Sequence, residues 1–122
     1  MRRTILLVED DLDLGDALRD GLAPLGYRVT MAADGEEAFG VLQRMMPDAI
    51  VLDLMMPGMN GWAFRVAQRE NRRFANIPVI AMSASQSPMA AAIDADLFLQ
   101  KPVDAYALHT AIESVLAIRE SG

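Results

Sequence analysis

The sequence has no cysteine, a single histidine and no apolar run of membrane-spanning length. Without cysteine it can form neither disulfides nor thiolate metal sites, which suits a reducing cytoplasm. His109 cannot build a histidine-based metal site by itself, and we expect it to be solvated near a helix start. Arg2-Arg3 precedes only four apolar residues before Glu9, too few for a signal peptide. We therefore expect a cytoplasmic protein that does not enter a membrane.

The chain also lacks a glycine-rich loop of the Walker type, so nucleotide hydrolysis has no support. Basic residues are few, with 11 Lys and Arg against 17 Asp and Glu, for a net charge of −6. This balance argues against direct nucleic-acid binding, because phosphate backbones bind Lys and Arg. A hydrophobic fraction of 52% in 122 residues predicts one domain, residues 1–122, with one well-packed core.

Short apolar runs alternate with helical patterns about every 22 residues. Runs that are apolar throughout are typical of strands buried on both faces of a parallel sheet. The alternation predicts an α/β fold with a doubly wound sheet. The five expected strands are Ile5–Val8, Tyr27–Met31, Ala49–Leu52, Ile77–Met82 and Leu97–Gln100.

Helix boundaries are marked by capping residues. Asp34, with Glu37 three residues on, predicts a helix start, and so does Asp104. Gly26 suits the C-terminal cap of the first helix. We expect the first helix to turn Leu14, Ala17, Leu18, Leu22 and Leu25 inward, and the last to bury Leu108, Ala111, Ile112, Val115 and Leu116. The other expected helices run from Asp34 to about Gln43, from Trp62 to about Arg69 and from Ser87-Pro88 onward.

Acidic residues follow the first and third expected strands, as Glu9-Asp10-Asp11 and Asp53. In open α/β sheets, ligands bind at the carboxyl ends of the strands. Clustered carboxylates raise one another's pKa unless a cation is present, and an oxygen-only cluster suits Mg²⁺. We interpret Asp11 and Asp13 as helix caps and assign Asp10 to the cluster.

Two further strand ends carry Ser83 and Lys101. A hydroxyl and an ammonium beside a carboxylate and a divalent ion would form a pocket for a phosphoryl group. Either residue alone would mean little, since strand ends often carry caps or solvated tips. The specific feature is that four strand ends carry Asp10, Asp53, Ser83 and Lys101 in this order.

At these motifs the chain resembles the receiver domain of bacterial two-component response regulators. The resemblance covers essentially the whole chain and rests on Val8-Glu9-Asp10-Asp11, on the stretch from Asp53 to Gly61, on Ser83-Ala84 and on Lys101-Pro102. It implies a flavodoxin-like, five-stranded parallel sheet of order 2-1-3-4-5 with helices on both faces.

The resemblance also implies the roles of individual residues. Asp53 would be the phosphoacceptor, and Mg²⁺ would be held by Asp10, Asp53 and the backbone carbonyl of Met55, with Glu9 acting through water. The phosphate-binding and switch positions would be Ser83, Ala84, Phe98 and Lys101. The phosphoryl donor would be a sensor histidine kinase or a histidine phosphotransfer protein, and the downstream target stays open. Such a domain is no enzyme beyond its own phosphorylation and dephosphorylation.

Two alternatives remain. The first is a phosphorylation-independent interaction module with the same fold. The second is an aspartate-nucleophile phosphatase, but such enzymes use a second acid two residues after the nucleophile, where this chain has Met55. A phosphodonor assay would separate these readings.

The chain departs from the receiver pattern between its fourth and fifth strands. Only 18 positions separate Ser83 from Lys101, about four fewer than usual, or about one helical turn. This predicts a shortened helix there, from Pro88 to about Ile93. Asp94-Ala95 replaces the usual Gly-Ala, so we expect an aspartate at a position that commonly has φ > 0, at some energetic cost.

Two further expectations follow from the resemblance and this departure. The Lys101-Pro102 peptide bond should be cis, because proline is the only residue at which cis is common and this geometry would aim Lys101 across the pocket. The shortened helix belongs to a face through which many receivers dimerise. We therefore expect a monomer or a weak dimer, formed through another face such as the first helix.

Overall fold

The computed structural model describes residues 2–55, 61–84 and 94–121, with side chains through residue 118. Five parallel strands form one sheet in the order β2-β1-β3-β4-β5. The strands are β1 (Arg3–Val8), β2 (Tyr27–Ala32), β3 (Ala49–Asp53), β4 (Val79–Ser83) and β5 (Leu97–Gln100). The predicted α/β class and the strand order are confirmed.

Helices connect the strands. They are α1 (Leu12–Leu22), followed by a 3₁₀ turn at Ala23–Leu25, α2 (Gly35–Leu42), α3 (Gly61–Glu70) and the C-terminal helix α4 (Ala105–Ser121). The helix expected from Pro88 to about Ile93 lies outside the described residues. In the described ranges, no helix combines the length and the apolarity that a membrane crossing requires.

The sheet separates two apolar cores. Leu6 and Val8 of β1 pack on the side of α2 and α3, whereas Ile5 and Leu7 pack on the side of α1 and α4. All four side chains are at most 1% exposed. Because both faces are covered, the central strands have unbroken apolar sequences instead of alternating ones.

The capping predictions are confirmed at three helix starts. The carboxylate of Asp11 accepts a hydrogen bond from the Leu14 amide at 3.1 Å, which confirms its interpretation as a cap. Asp13 lies within the first turn of α1, so its interpretation as a cap was wrong. Asp34 caps α2 through the Glu37 amide at 2.8 Å, and Asp104 accepts from the Ala107 amide at 2.7 Å. Each carboxylate satisfies an amide that lacks a partner within its helix. Gly26, with φ of 99°, adopts the left-handed conformation that glycine accommodates best.

Two expectations for the first helix were wrong. Ala17 and Leu25 are exposed, while Leu18 and Leu22 are buried. Leu25 lies in the 3₁₀ turn that follows α1, whose tighter winding rotates it off the apolar stripe. Ala17 lies beside the line of Leu14, Leu18 and Leu22, on the solvent side of α1.

The expectation for Asp94 was also wrong. Among the described residues, no residue other than glycine has positive φ. Asp94 therefore needs none of glycine's conformational freedom. Its backbone carbonyl accepts a hydrogen bond from Arg65, and its carboxylate, which glycine would lack, pairs with Arg69.

Two aspartates fix the amino-terminal edge of the sheet in the same way. The amide of Asp48 donates to the Thr4 carbonyl at 2.8 Å, and its carboxylate accepts from the Thr4 amide at 2.7 Å. Asp96 makes the same pair of bonds to Val79, at 2.9 and 2.8 Å. Each aspartate directly precedes a strand, β3 or β5, and binds the neighbouring strand near its start. These bonds help to set the register that aligns the carboxyl ends of the strands.

Candidate functional site

The candidate site lies at the carboxyl edge of the central strands. Asp53 is the last residue of β3, and Glu9 follows β1, where its amide donates to the Ala32 carbonyl at 2.9 Å. Both carboxylates are buried, with residue exposures of 1% for Glu9 and 2% for Asp53. Because β1 and β3 are neighbours, the sheet itself places the two acids side by side.

Lys101 reaches these acids from β5. The Lys101-Pro102 peptide bond is cis, as predicted. The Nζ of Lys101 lies 2.9 Å from Oε1 of Glu9 and 3.5 Å from Oδ2 of Asp53. Its backbone amide donates to the Ser83 carbonyl at 2.9 Å, which ties the residue to the end of β4. The ammonium group of Lys101 thus forms ion pairs with two buried carboxylates.

Asp10 adds a third carboxylate, on the solvent side. Glu9, Asp10 and Asp53 each offer an oxygen, and these oxygens lie within 4.8 Å of one another. Opposite ligands of an octahedral Mg²⁺ ion are about 4.2 Å apart, at about 2.1 Å per bond. Small rotations of the exposed Asp10 side chain would bring its carboxylate oxygen to that distance from the other two. The all-oxygen donors therefore fit a hard divalent cation.

Burial and crowding of charge change the ionisation of Glu9. Burial, followed by the neighbouring Asp53 carboxyl group, raises the pKa of Glu9 to about 7, against the lowering effect of Lys101. Burial lowers the pKa of Lys101, but its hydrogen bond to Glu9 and the charges of Asp53 and Glu9 outweigh this and leave that pKa raised. Lys101 therefore stays protonated, and the site holds excess negative charge when both acids are ionised.

The backbone that follows Asp53 donates a hydrogen bond to the Asp53 carboxylate. The Met55 amide donates to Oδ1 of Asp53 at 3.2 Å, and the Leu54 amide donates to the Met82 carbonyl at 2.9 Å. The Leu54 side chain is fully buried, whereas Met55 is 59% exposed. Asp53 is thus held rigidly at its backbone while the next residue reaches solvent.

The expected switch residues lie in different environments. Ser83 ends β4 and is fully buried, whereas Ala84 is exposed. Phe98 is half-buried in β5 and packs against the core on the side of α2 and α3. The structure therefore gathers Glu9, Asp10, Asp53, Ser83 and Lys101 at one edge of the sheet, as the sequence predicted.

His109 differs from its sequence-based expectation. It is half-buried, and its Nδ1 lies 2.8 Å from the hydroxyl of Tyr27, which also donates to the Glu113 carboxylate at 2.9 Å. Burial and the hydrogen bond to Glu113 raise the pKa of Tyr27. A helical spacing of four residues between His109 and Glu113 could have indicated a shared partner, but the partner lies on β2. Tyr27 is the first residue of β2, so this cluster lies toward the amino-terminal edge of the sheet, opposite the candidate site.

A family model described as the response regulator receiver domain matches residues 5–113. Among curated proteins, the chain is 37% identical over 117 residues to the transcriptional regulatory protein AfsQ1 of Streptomyces coelicolor, covering 93% of this chain and 51% of that protein. It is 35% identical over 119 residues to the probable transcriptional regulator ycf27 of Porphyridium aerugineum, covering 94% and 48%. The chain thus spans about half the length of these relatives.

Solved structures give the same result. The receiver domain of the sensor histidine kinase PA1611 from Pseudomonas aeruginosa PAO1, solved with a magnesium ion in its active-site cleft, matches with a TM-score of 0.87 and 28% identity. That match covers 96% of this chain and 99% of the other. The chemotaxis response regulator CheY4 of Vibrio cholerae matches with a TM-score of 0.85 and 28% identity, covering 94% and 99%.

Proposed function

This chain belongs to the family of response regulator receiver domains, and on that premise we propose that it accepts a phosphoryl group on Asp53. The observation that carries the proposal is the position of the Asp53 carboxylate, which lies beside the acids Glu9 and Asp10 and 3.5 Å from the ammonium group of Lys101. Phosphoryl transfer needs positioning and charge neutralisation more than covalent chemistry by the protein. This pocket offers both.

The donor would be a phosphohistidine of a sensor histidine kinase or a histidine phosphotransfer protein. A carboxylate oxygen of Asp53 attacks the phosphorus atom as the bond from phosphorus to the imidazole nitrogen breaks. The electron pair of that bond returns to the imidazole. Lys101 lies 3.5 Å from Asp53 and pairs with the incoming negative charge.

The acidic cluster would hold Mg²⁺. Asp10, Asp53 and the backbone carbonyl of Met55 would be its protein ligands, with Glu9 acting through water. When bound, the ion would neutralise charge on the phosphoryl oxygens. The exposure of Asp10 leaves the cluster accessible to a partner that delivers phosphate.

Phosphorylation would then act on the end of β4 and on β5. The hydroxyl of Ser83 would turn to the phosphoryl group beside Ala84, and Phe98 would move into the space that this leaves. The readout is a changed surface around β5 and α4, and hydrolysis of the acyl phosphate resets it. Catalysis by the chain is confined to these two steps on its own aspartate.

The test uses a small donor with a phosphorus–nitrogen bond, phosphoramidate, and intact-mass measurement. Wild type should gain one phosphate in the presence of Mg²⁺ and lose that gain with EDTA, whereas Asp53→Asn should gain none. Asp20→Asn, the same change on an exposed surface of α1, is the matched control and should behave as wild type.

Each other outcome counts against the proposal. Equal uptake by wild type and Asp53→Asn would place the phosphate elsewhere. No uptake by the folded wild type would favour a phosphorylation-independent interaction module. Turnover of small phosphoesters would favour a phosphatase.

A further inference from the structure

Helix α3 is fastened to the rest of the chain at both of its ends. Its first residue, Gly61, lies against the backbone of the candidate phosphoacceptor. Its middle and its last turn bind the segments that precede β4 and β5, through Arg65, Gln68 and Arg69. We call this set of contacts, from Gly61 through Arg65 to Asp94, the α3 brace.

At the first end, Gly61 packs against the backbone of Asp53 and against the backbone and side chain of Leu54. The Gly61 amide donates to the Leu54 carbonyl at 3.2 Å. A Cβ atom on Gly61 would lie 2.6 Å from Cα of Leu54 and 2.9 Å from the carbonyl oxygen of Asp53. Real Cβ atoms do not approach backbone so closely. Because Gly61 has no side chain, the backbone of α3 packs directly against Asp53 and Leu54, and a displacement of either residue would also displace α3.

At the second end, a buried polar network fixes α3 to the segment before β4. Gln68 is fully buried, and its amide group donates to the carbonyls of Phe74 at 2.9 Å and Ile77 at 3.1 Å. Arg65 in turn donates to the Gln68 side-chain oxygen at 2.8 Å. Leaving a buried polar group without its hydrogen-bond partner strongly destabilises the fold, so this arrangement resists distortion.

Arg65 extends this network to the residue that leads into β5. Its Nε donates to the Asp94 carbonyl at 2.5 Å, and the residue is only 6% exposed. Arg69 pairs with the Asp94 carboxylate at 3.0 Å, but both side chains are more than half exposed. An exposed ion pair contributes little, whereas a buried charged hydrogen bond is costly to break. Arg65 is therefore the main attachment of Asp94.

We propose that the α3 brace transmits displacements of Asp53 and Leu54 to the start of β5, with Arg65 as the coupling residue. The proposal rests on the proposed function only for its natural trigger, phosphorylation of Asp53. Gly61 and Arg65 are about one helical turn apart on α3, or about 6 Å along its axis, and the long side chain of Arg65 makes the remaining connection to Asp94. β5 would thus respond from its start through Asp94 and from its end through Ser83, which pairs with Gln100.

The first experiment needs no phosphoryl chemistry. Amide NMR spectra of isotope-labelled protein are compared for wild type, Gly61→Ala, Arg65→Met and the double variant. Gly61→Ala should shift the Leu54 signal and the signals of residues 94–97. Adding Arg65→Met should reduce the second shift by more than half. Arg72→Met removes the same charge from an exposed position just beyond α3 and should leave the shift intact.

The proposal is overturned if residues 94–97 do not respond to Gly61→Ala while Leu54 does, or if their response persists in the double variant. Should Gly61→Ala not fold, reciprocity of coupling supplies the test, since Arg65→Met alone must then shift Leu54 and Met55 more than Arg72→Met does. Equal shifts from the two arginine variants would overturn the proposal.

The second experiment adds beryllofluoride and Mg²⁺ as a phosphoryl mimic. In wild type, the signals of Asp53 and Lys101 should move together with those of residues 94–97. In Arg65→Met, the pocket signals should still move at a similar mimic concentration, and the response of residues 94–97 should fall by at least half. An undiminished response would refute the brace. Pocket signals that do not move in wild type would refute the phosphoacceptor proposal instead, and the first experiment would still decide the brace.

Discussion

Lys101 is closer to Glu9 than to Asp53: its Nζ lies 2.9 Å from the glutamate and 3.5 Å from the aspartate. The pair with Glu9 joins residues 92 positions apart. It also gives Glu9 a role beyond the expected water-mediated metal contact. A phosphoryl group on Asp53 would therefore compete with Glu9 for the ammonium group of Lys101.

The first prediction concerns loss of the ammonium group. In EDTA at pH 8, Lys101→Met should lower the free energy of unfolding by about 3 kcal/mol, because it leaves two buried carboxylates facing each other without a cation. Adding Glu9→Gln should recover most of that loss. The measurement is chemical denaturation of the two variants and the wild type. If Lys101→Met is as stable as wild type, the proposed electrostatic balance is contradicted.

The second prediction uses the raised pKa of Glu9, about 7 in the folded state against 4.5 when unperturbed. Between these values the folded chain holds a proton that the unfolded chain has lost, so stability should fall as pH rises through this window. Glu9→Gln cannot titrate. In EDTA, the stability of wild type minus that of Glu9→Gln should therefore decrease from about pH 4.5 to about pH 7, as measured by urea denaturation. A difference independent of pH would show that burial does not hold the proton on Glu9.

The main site residues were predictable because each follows an apolar strand. Once the strands are parallel, their carboxyl ends must meet at one edge, so Asp53, Ser83 and Lys101 are brought together by topology. The Glu9–Lys101 bond was not predictable in this way. Which of two neighbouring carboxylates lies nearer the ammonium group depends on side-chain rotamers, and here the two distances differ by less than 1 Å.

Buried polar residues away from the strand ends were missed for a different reason. Arg65 and His109 have partners on elements far away in sequence, at Asp94 and Tyr27. Nothing in the local sequence of either residue distinguishes it from a solvated helix position.

Leu25 was misplaced for a third reason: the apolar stripe continues in the sequence after the helix has tightened into a 3₁₀ turn.

The third prediction compares two glycines within helices, where alanine is normally favoured by about 1 kcal/mol. A Cβ atom on Gly21 of α1 would overlap the Cβ of Ala105 at the start of α4, whereas on Gly40 of α2 the nearest group is Nη1 of Arg44, at 4.0 Å. Gly40→Ala should raise the Tm, and Gly21→Ala should lower it by the equivalent of about 1 to 3 kcal/mol. The same sign for both variants would mean that α1 and α4 can separate at little cost.

The fourth prediction concerns the bonds of Asp48. Asp48→Ala removes the acceptor of the Thr4 amide and should destabilise the protein by about 1 to 3 kcal/mol. Asp20→Ala is the control, since its exposed contact with Arg19 at 3.6 Å should contribute less than about 1 kcal/mol. Denaturant titration measures both variants. Equal effects would show that the paired bonds to Thr4 do not stabilise the edge of the sheet.

The last prediction concerns self-association, and it rests on the short stretch between Ser83 and Lys101. With about one helical turn fewer than the receiver pattern provides, the face beside β5 should offer too little surface for the usual dimer of the family.

We expect the mass in solution to be that of a monomer, with or without beryllofluoride and Mg²⁺, as measured by light scattering. If a weak dimer forms, Leu12→Glu on α1, where the leucine is 64% exposed, should weaken it, because another face such as α1 would then be used. An activation-dependent dimer that Leu12→Glu leaves intact, and that substitutions between Pro88 and Ile93 abolish, would show that the shortened segment still supports the usual interface.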